Sequence, residues 1–198
     1  MMAFALGLTG SIGMGKSTAL RIFAENGCPV WSADEAVTRL YSTGGAAVEA
    51  VRRLAPNAVR GDSVQREALR KWLSEDNRRF DALDAAVHPL IAADRSHFAS
   101  GNSHQSLIAF DIPLLFETGA EAEMDSVAVV TVPEPVQHSR VMRRESMTQK
   151  RFDEILHRQM SDAEKRSRAD WLIDGADIDA ARADVGYILR QILGHGNA

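Results

Sequence analysis

The sequence predicts an α/β fold with a five-stranded parallel sheet, a helical insertion and a helical lid. Short apolar runs alternate with helical periodicity along most of the chain, an order typical of parallel strands joined by right-handed crossovers. A glycine-rich turn joins the first apolar run to the first helical one. Between the second and third apolar runs lies a long segment with helical periodicity and no strand pattern, which predicts the insertion.

The apolar runs are the expected strands of the sheet. In chain order they are residues 3–9, 30–33, 107–112, 127–132 and 171–173. The run at 127–132 is almost continuously apolar, as expected for a strand that is covered on both faces. Sequential parallel strands need helices between them, so each run should be followed by a crossover.

Helical periodicity follows several of these runs. It covers 16–26, 135–144 and 178–193, and Gly27 stands where a helix C-cap is expected. Segment 35–87 is divided by three turn signals, which are Gly44-Gly45, Pro56-Asn57 and Gly61-Asp62. We therefore expect several short helices in the insertion.

Composition excludes several classes of protein. With 45% apolar and 25% charged residues and no long apolar run, neither a disordered chain nor a membrane span is expected. The apolar start lacks a basic region and a small-residue cleavage site, so no signal peptide is expected. The single cysteine, Cys28, fits a reducing cytoplasmic location. The net charge of −4 argues against a nucleic-acid partner.

Basic residues concentrate in one segment, 138–168. It holds nine Lys or Arg residues against five Asp or Glu residues, although the whole chain is acidic. A solvated helical face is one interpretation of such a run, and a functional basic surface is the other.

A phosphate-binding loop is the most specific pattern in the chain. Residues 10–17, G-S-I-G-M-G-K-S, fit G-x-x-x-x-G-K-[ST] at every fixed position, with a strand pattern before them and a helix pattern after them. The candidate nucleotide-binding residues are Gly10, Ser11, Ile12, Gly13, Met14, Gly15, Lys16, Ser17 and Thr18.

The chemistry of polyphosphate binding explains these residue types. Backbone N–H groups that turn inward around an anion need positive φ and close approach, which glycine permits. The N-terminus of the following helix adds its positive dipole end. Lys16 supplies a point charge for the β- and γ-phosphates, and the Ser17 hydroxyl is a ligand for Mg²⁺. We therefore expect a nucleoside triphosphate site.

Three titratable side chains, two of them at strand ends, are candidates for the acceptor side. Asp34 follows the second strand, where ligands of open α/β sheets bind; it is a candidate proton acceptor or an N-cap of helix 35–41. His88 precedes Pro89, which is expected to open a helix; a capping or core residue is the alternative for this histidine. Asp111 ends an apolar strand as a magnesium-binding Walker-B acid does.

Taken in order, five motifs resemble the dephospho-coenzyme A kinase family. They are G-L-T-G-S-I-G-M-G-K-S-T at 7–18, A-D at 33–34, H-P-L at 88–90, P-L-L-F-E at 113–117 and A-D-W-L-I-D at 169–174. The resemblance covers nearly the whole chain. It implies a three-layer P-loop kinase fold and transfer of the ATP γ-phosphate, with Mg²⁺, to the ribose 3′-hydroxyl of dephospho-CoA.

The resemblance also implies roles for individual residues. Asp34, Lys16 and Arg140 are the implied catalytic residues, with Asp34 as the base, and Arg140 and Arg144 contact the nucleotide. The implied acceptor-binding residues are Asp34, Arg66, His88, Pro113, Leu114, Leu115 and Glu117. For Arg66 a surface helix charge is the alternative, and the implied metal ligands are Ser17 and Asp111.

A division into domains follows from the same resemblance. Residues 1–34, 88–139 and 169–198 form the expected nucleotide-binding core, 35–87 the acceptor domain and 140–168 the basic lid. The expected partner is the small-molecule acceptor alone, without nucleic acid or membrane, and the expected state is a monomer or weak oligomer.

The sequence departs from the family pattern at two positions. Ser32 stands where an acid is common, and Gly175 stands where an asparagine near the adenine is common. Two other functions stay open: a P-loop kinase for a different small molecule, or a nucleotide-dependent switch. A switch that reads guanine would carry Asn/Thr-Lys-x-Asp, which is absent from the sequence.

Overall fold

A parallel five-stranded sheet organises the chain, as expected. The computed structural model describes residues 3–194. Its elements in chain order are β1 (Phe4–Thr9), α1 (Lys16–Glu25), β2 (Val30–Ser32), α2 (Ala33–Tyr41), α3 (Val48–Leu54), β3 (Val59–Arg60), β4 (Ser63–Val64), α4 (Arg66–Ser74), α5 (Arg78–Gly101), β5 (Leu107–Asp111), β6 (Ser126–Thr131), α6 (Glu134–Met142), α7 (Gln149–His157), α8 (Asp162–Arg168), β7 (Trp171–Asp174) and α9 (Ile178–Gly194).

The strand order in the sheet is β2-β5-β1-β6-β7, which puts β1 at the centre. Leu6 of β1 is in register with Ala109 of β5 on one side and with Ser126 of β6 on the other. All of β5 and nearly all of β6 is buried. This burial explains why the central residues of both strands are apolar rather than alternating.

Two structural units divide the chain. One contains the chain up to Trp31 and from Asn102 onward, and the other is Ser32–Gly101. The expected core segments begin at residue 1 and end at residue 198, and these two ends lie outside the described residues. Two roles stay predictions: acceptor binding by residues 35–87, and closure of residues 140–168 as a lid.

The first unit has its core between the sheet and helices α1 and α9. Leu6 and Leu8 of β1, Phe23 of α1 and Ile188 of α9 are at most 1% exposed and belong to one cluster. Apolar residues at helical spacing on α1 and α9 supply the face that covers the sheet. Of the residues that the structure describes, no helix is both long and apolar enough to cross a membrane.

The second unit has a separate core. Val51 of α3, Leu69 of α4, and Leu83 and Val87 of α5 form its centre, and they pack with Leu40 of α2. The expected helices of the insertion are therefore present, and each contributes to one hydrophobic cluster.

One expectation for the insertion is wrong, because it contains a β-hairpin. Val59 pairs with Val64 and Arg60 with Ser63 in antiparallel register. Gly61, with φ of +57°, begins the two-residue turn between them. Strands of two residues are too short to show a period of two, so only the turn signal was visible in the sequence.

The expected helix starts at Asp34 and Pro89 are also wrong. Pro89 lies inside α5 rather than at its first turn. An interior proline forfeits one backbone hydrogen bond, and the burial of Leu83 and Val87 on the same helix offsets that loss. Ser32 takes the N-cap position of α2, and Asp34 lies in the first helical turn, where the helix dipole favours an acid.

The central position of β1 generates a stability prediction. We expect Leu8→Ala, at a site that is 0% exposed, to lower the free energy of unfolding by about 2–5 kcal/mol, because it leaves a cavity in the core. The matched control is Leu172→Ala on edge strand β7, 45% exposed, with an expected change within about 0.5 kcal/mol. Equilibrium urea unfolding measures both, and equal losses would contradict the assignment of the core.

Candidate active site

The phosphate loop lies between β1 and α1, where β1 ends at Thr9 and α1 begins at Lys16. Gly10 and Gly13 have φ of +147° and +82°, which side chains rarely tolerate. A Cβ at Gly10 would lie 2.5 Å from the carbonyl oxygen of Val130, and one at Gly13 would lie 2.6 Å from Cγ2 of Val141. Both glycines are therefore required by conformation and by close packing.

A cavity of about 450 Å³ opens at this loop. Its lining combines the loop and first turn of α1 with β6, α6 and the segment after β7. The lining residues include Gly13, Met14, Gly15, Lys16, Ser17, Thr18, Arg140, Arg144, Gly175, Ala176 and Asp177. Lys16 Nζ donates to the carbonyl oxygen of Gly10 at 2.9 Å, so the ammonium group is folded back over the loop. The arrangement concentrates positive charge and a helix N-terminus at one cavity.

The segment after β7 packs directly on the loop. A Cβ at Gly175 would overlap the carbonyl oxygen of Met14, so no side chain fits there without a shift. Arg140 Nη1 donates to Gly175 O at 2.8 Å and Nη2 to Ala176 O at 3.2 Å. Gly175, noted in the sequence as a departure from the family pattern, thus permits the contact between two walls of the cavity.

Met14 is a further structural member of the loop. It is 2% exposed, and its Sδ accepts a hydrogen bond from the N–H of Val132 at 3.3 Å. The sequence motif leaves this position unspecified, so the motif did not indicate that Met14 anchors the loop to the end of β6.

Asp111 is the last residue of β5, is buried, and is in register with Leu8 of β1. Its carboxylate and the Ser17 hydroxyl are hard oxygen donors, the type that Mg²⁺ prefers. Within residues 3–194 no group of three or more His, Cys, Asp or Glu side chains could hold a metal ion. A magnesium ion that keeps its waters and binds phosphate oxygens needs few protein ligands, so this sparse donor set fits it.

Three of the predicted acceptor residues, Asp34, Arg66 and His88, lie in the second unit. Asp34 is exposed in α2, and Arg66, the first residue of α4, donates from Nη2 to Oγ1 of Thr38 at 2.6 Å. Thr38 in turn donates to the carbonyl oxygen of Asp34 at 2.8 Å. His88 is exposed on α5, with Nε2 4.0 Å from Oδ1 of Asp84.

The same surface of the second unit contains Tyr41. Burial raises the pKa of its hydroxyl, Asp84 adds to the increase, and Arg66 opposes it. Asp84 of α5 and Arg66 of α4 therefore both act on the Tyr41 hydroxyl of α2, and Arg66 also contacts Thr38. Sequence reasoning missed Asp84, Thr38 and Tyr41, because none of them belongs to a motif.

The family model that matches the sequence is dephospho-CoA kinase, over residues 4–179. The chain belongs to the dephospho-CoA kinase family. A dephospho-CoA kinase of Cereibacter sphaeroides is 50% identical over 192 residues, which cover 97% of each chain. Membership makes the chain a kinase of the final step of coenzyme A biosynthesis.

Solved structures of similar proteins agree on the fold. A Thermus thermophilus protein is 30% identical, with a TM-score of 0.83 and full coverage of both chains. The dephospho-CoA kinase of Campylobacter jejuni is 20% identical, with a TM-score of 0.66 over 97% of this chain and 98% of its own. The predicted α/β P-loop kinase fold is confirmed.

In this member of the dephospho-CoA kinase family, the P-L-L-F-E segment is tied to the protein interior. Leu115 is 0% exposed and Leu114 39%. Lys165 is fully buried, and its Nζ lies 2.8 Å from Oε1 of Glu117 and 3.3 Å from the carbonyl oxygen of Pro113. Acceptor binding by these residues stays a prediction, and the structure adds an ion pair that the sequence did not indicate.

The buried ion pair generates the second prediction. We expect Lys165→Met to lower the free energy of unfolding by about 3–5 kcal/mol, because Glu117 loses its cation in a buried site. The double variant Lys165→Met/Glu117→Gln should recover more than half of that loss, since no unpaired charge is left. Equilibrium urea unfolding measures both, and a double variant less stable than the single one would refute the explanation.

Proposed function

We propose that the chain transfers the γ-phosphate of ATP to the 3′-hydroxyl of the ribose in dephospho-CoA. The observation that carries the proposal is a complete phosphate loop at a 450 Å³ cavity in a chain whose family is dephospho-CoA kinase. Phosphoryl transfer requires little covalent chemistry from a protein, so positioning and charge stabilisation carry most of the catalysis.

The nucleotide side of the proposal uses the loop, Lys16 and the arginines of the cavity. Main-chain N–H groups within the phosphate loop bind the phosphates, and Lys16 supplies positive charge to the β- and γ-phosphates. Arg140 and Arg144 line the same cavity, which supports a role in neutralising the transferring group. Arg140 also holds the wall at Gly175, so it shapes the cavity as well.

Ser17 and Asp111 are the residues that would hold Mg²⁺. Bound there, the ion neutralises charge on the phosphate oxygens. Ser17 lines the cavity from the first turn of α1, and Asp111 ends the strand that pairs with β1.

The acceptor side uses Asp34 as the general base. Its carboxylate accepts the proton of the ribose 3′-hydroxyl as that oxygen attacks the γ-phosphorus. Support comes from its place two residues beyond β2, since ligands of open α/β sheets bind at the carboxyl ends of strands. Arg66, His88 and the segment 113–117 bind the remainder of dephospho-CoA, with 35–87 as the acceptor domain and 140–168 as the lid.

The acceptor is tested directly with purified protein, ATP and MgCl₂. We expect ADP release with dephospho-CoA, a product heavier by one phosphoryl group, and a phosphate at the ribose 3′ position by ³¹P and ¹H NMR. Shikimate, gluconate and nucleoside monophosphates serve as alternative acceptors. Faster turnover with any of them, or ADP release that dephospho-CoA does not change, would refute the proposal.

The base assignment gives a separate prediction for Asp34→Asn. We expect kcat to fall by about 10²–10⁴-fold, because an amide does not accept the proton. The affinity for ATP, measured by calorimetry, should stay within about threefold of the wild type. Glu35→Gln, which removes the neighbouring exposed acid in the same helical turn, is the matched control. Near-normal turnover of Asp34→Asn would show that another group accepts the proton.

A further inference from the structure

Both main-chain groups of one phosphate-loop residue, Ile12, are bound by glutamine side chains. The N–H of Ile12 donates to Oε1 of Gln159 at 3.1 Å, and Nε2 of Gln137 donates to the carbonyl oxygen of Ile12 at 2.8 Å. Gln137 lies on α6 and is 5% exposed, and Gln159 follows α7. Two side chains that are far apart in sequence therefore meet at the same residue of the loop.

These two bonds fix peptide groups beyond Ile12 itself. In a trans peptide the C=O and the next N–H point in opposite directions. The bond from Gln137 to Ile12 O therefore also sets the direction of the Gly13 N–H, which belongs to the same peptide group. The bond to Gln159 likewise sets the direction of the Ser11 carbonyl. Ser11 and Gly13 line the 450 Å³ cavity, so their orientation affects the phosphate site.

Glycine-rich backbone needs such support, because its φ angles are otherwise weakly restricted. The support is itself fixed to the protein. The N–H of Met160, next to Gln159, donates to Oε1 of Glu117 at 2.7 Å, and Oγ1 of Thr131 donates to Oδ2 of Asp162 at 2.9 Å. Gln159 is thus held by its neighbours in the chain rather than by its own side chain alone.

We propose that Gln137 and Gln159 are positioning residues that preset the phosphate loop for the triphosphate of ATP. Gln137 acts as a donor to Ile12 O and Gln159 as an acceptor from Ile12 N–H. The N–H of Ile12 is consequently committed to the protein and is not one of the phosphate donors. The inference rests on the proposed function and deepens its nucleotide site.

The opposite polarity of the two bonds permits a matched test. Replacing glutamine by glutamate removes the N–H donor and keeps an oxygen acceptor. Gln137→Glu therefore loses its bond and brings a carboxylate against a carbonyl oxygen, whereas Gln159→Glu keeps an acceptor for Ile12 N–H. Both variants add one negative charge near the loop, so a general charge effect would weaken both alike.

We expect kcat/KM for ATP to fall by about 10²-fold in Gln137→Glu, the size typical of a misplaced binding group. Gln159→Glu should lose at most about threefold, and Gln159→Met, which removes the acceptor, about tenfold. The KM for dephospho-CoA should change by less than about twofold in all three variants. A general structural defect would instead change the KM for both substrates. ATP affinity by calorimetry, without acceptor, should show the same order.

A thermal unfolding curve for each variant accompanies the kinetics. If Gln137→Glu does not fold, Gln137→Met, which removes the donor without adding charge, takes its place with the same expected order. Equal losses in Gln137→Glu and Gln159→Glu, or an unchanged ATP affinity in Gln137→Met, would overturn the inference. The calorimetry needs no acceptor, so it decides the role of the glutamines even if dephospho-CoA proves not to be the substrate.

Discussion

Three glycines allow the phosphate loop to pack closely on its neighbours, and the rest of the nucleotide site depends on this packing. Gly10 lies against Val130 of β6, Gly13 against Val141 of α6, and Gly175 against Met14. None of these contacts has room for a Cβ. The sheet order explains why: β1 lies beside β6 and β6 beside β7, so the segments after β6 and β7 meet the loop. The walls of the cavity thus result from the strand order and from three glycines, whose lack of a side chain allows these segments to approach one another.

The basic segment 138–168 divides into two classes of residue in the structure. Some of its cations are structural: Arg140 binds the carbonyl oxygens of Gly175 and Ala176, Lys165 is buried against Glu117, and Arg168 lies over the ring of Phe116 while pairing with Glu121. Arg143 and Arg144, by contrast, are exposed. The net positive count in the sequence therefore overstates the charge available to a ligand, because part of it is used to join α8 to the segment after β5 and α6 to the segment after β7.

The sequence was most informative where chemistry restricts the residue type. A loop around phosphates requires glycines, a lysine and a hydroxyl at fixed spacing, and buried strands require apolar runs, so both were predictable. The hairpin at 59–64 and the interior position of Pro89 were not, since tertiary packing decides them. The roles of Gln137 and Gln159 were not predictable from the sequence, because neither glutamine belongs to a motif. Their partner is a backbone group that only the fold brings near.

The two structural units have separate hydrophobic cores. Leu8 and Ile188 belong to the core of the unit with the phosphate loop, whereas Val51 and Val87 belong to the core of Ser32–Gly101. Substitutions at residues that share no partners usually have additive effects. The contacts of Arg66 with Thr38 are internal to the second unit, and those of Arg140 with Gly175 are internal to the first. With the roles proposed above, changes at Arg66 act on acceptor binding and changes at Arg140 on nucleotide binding.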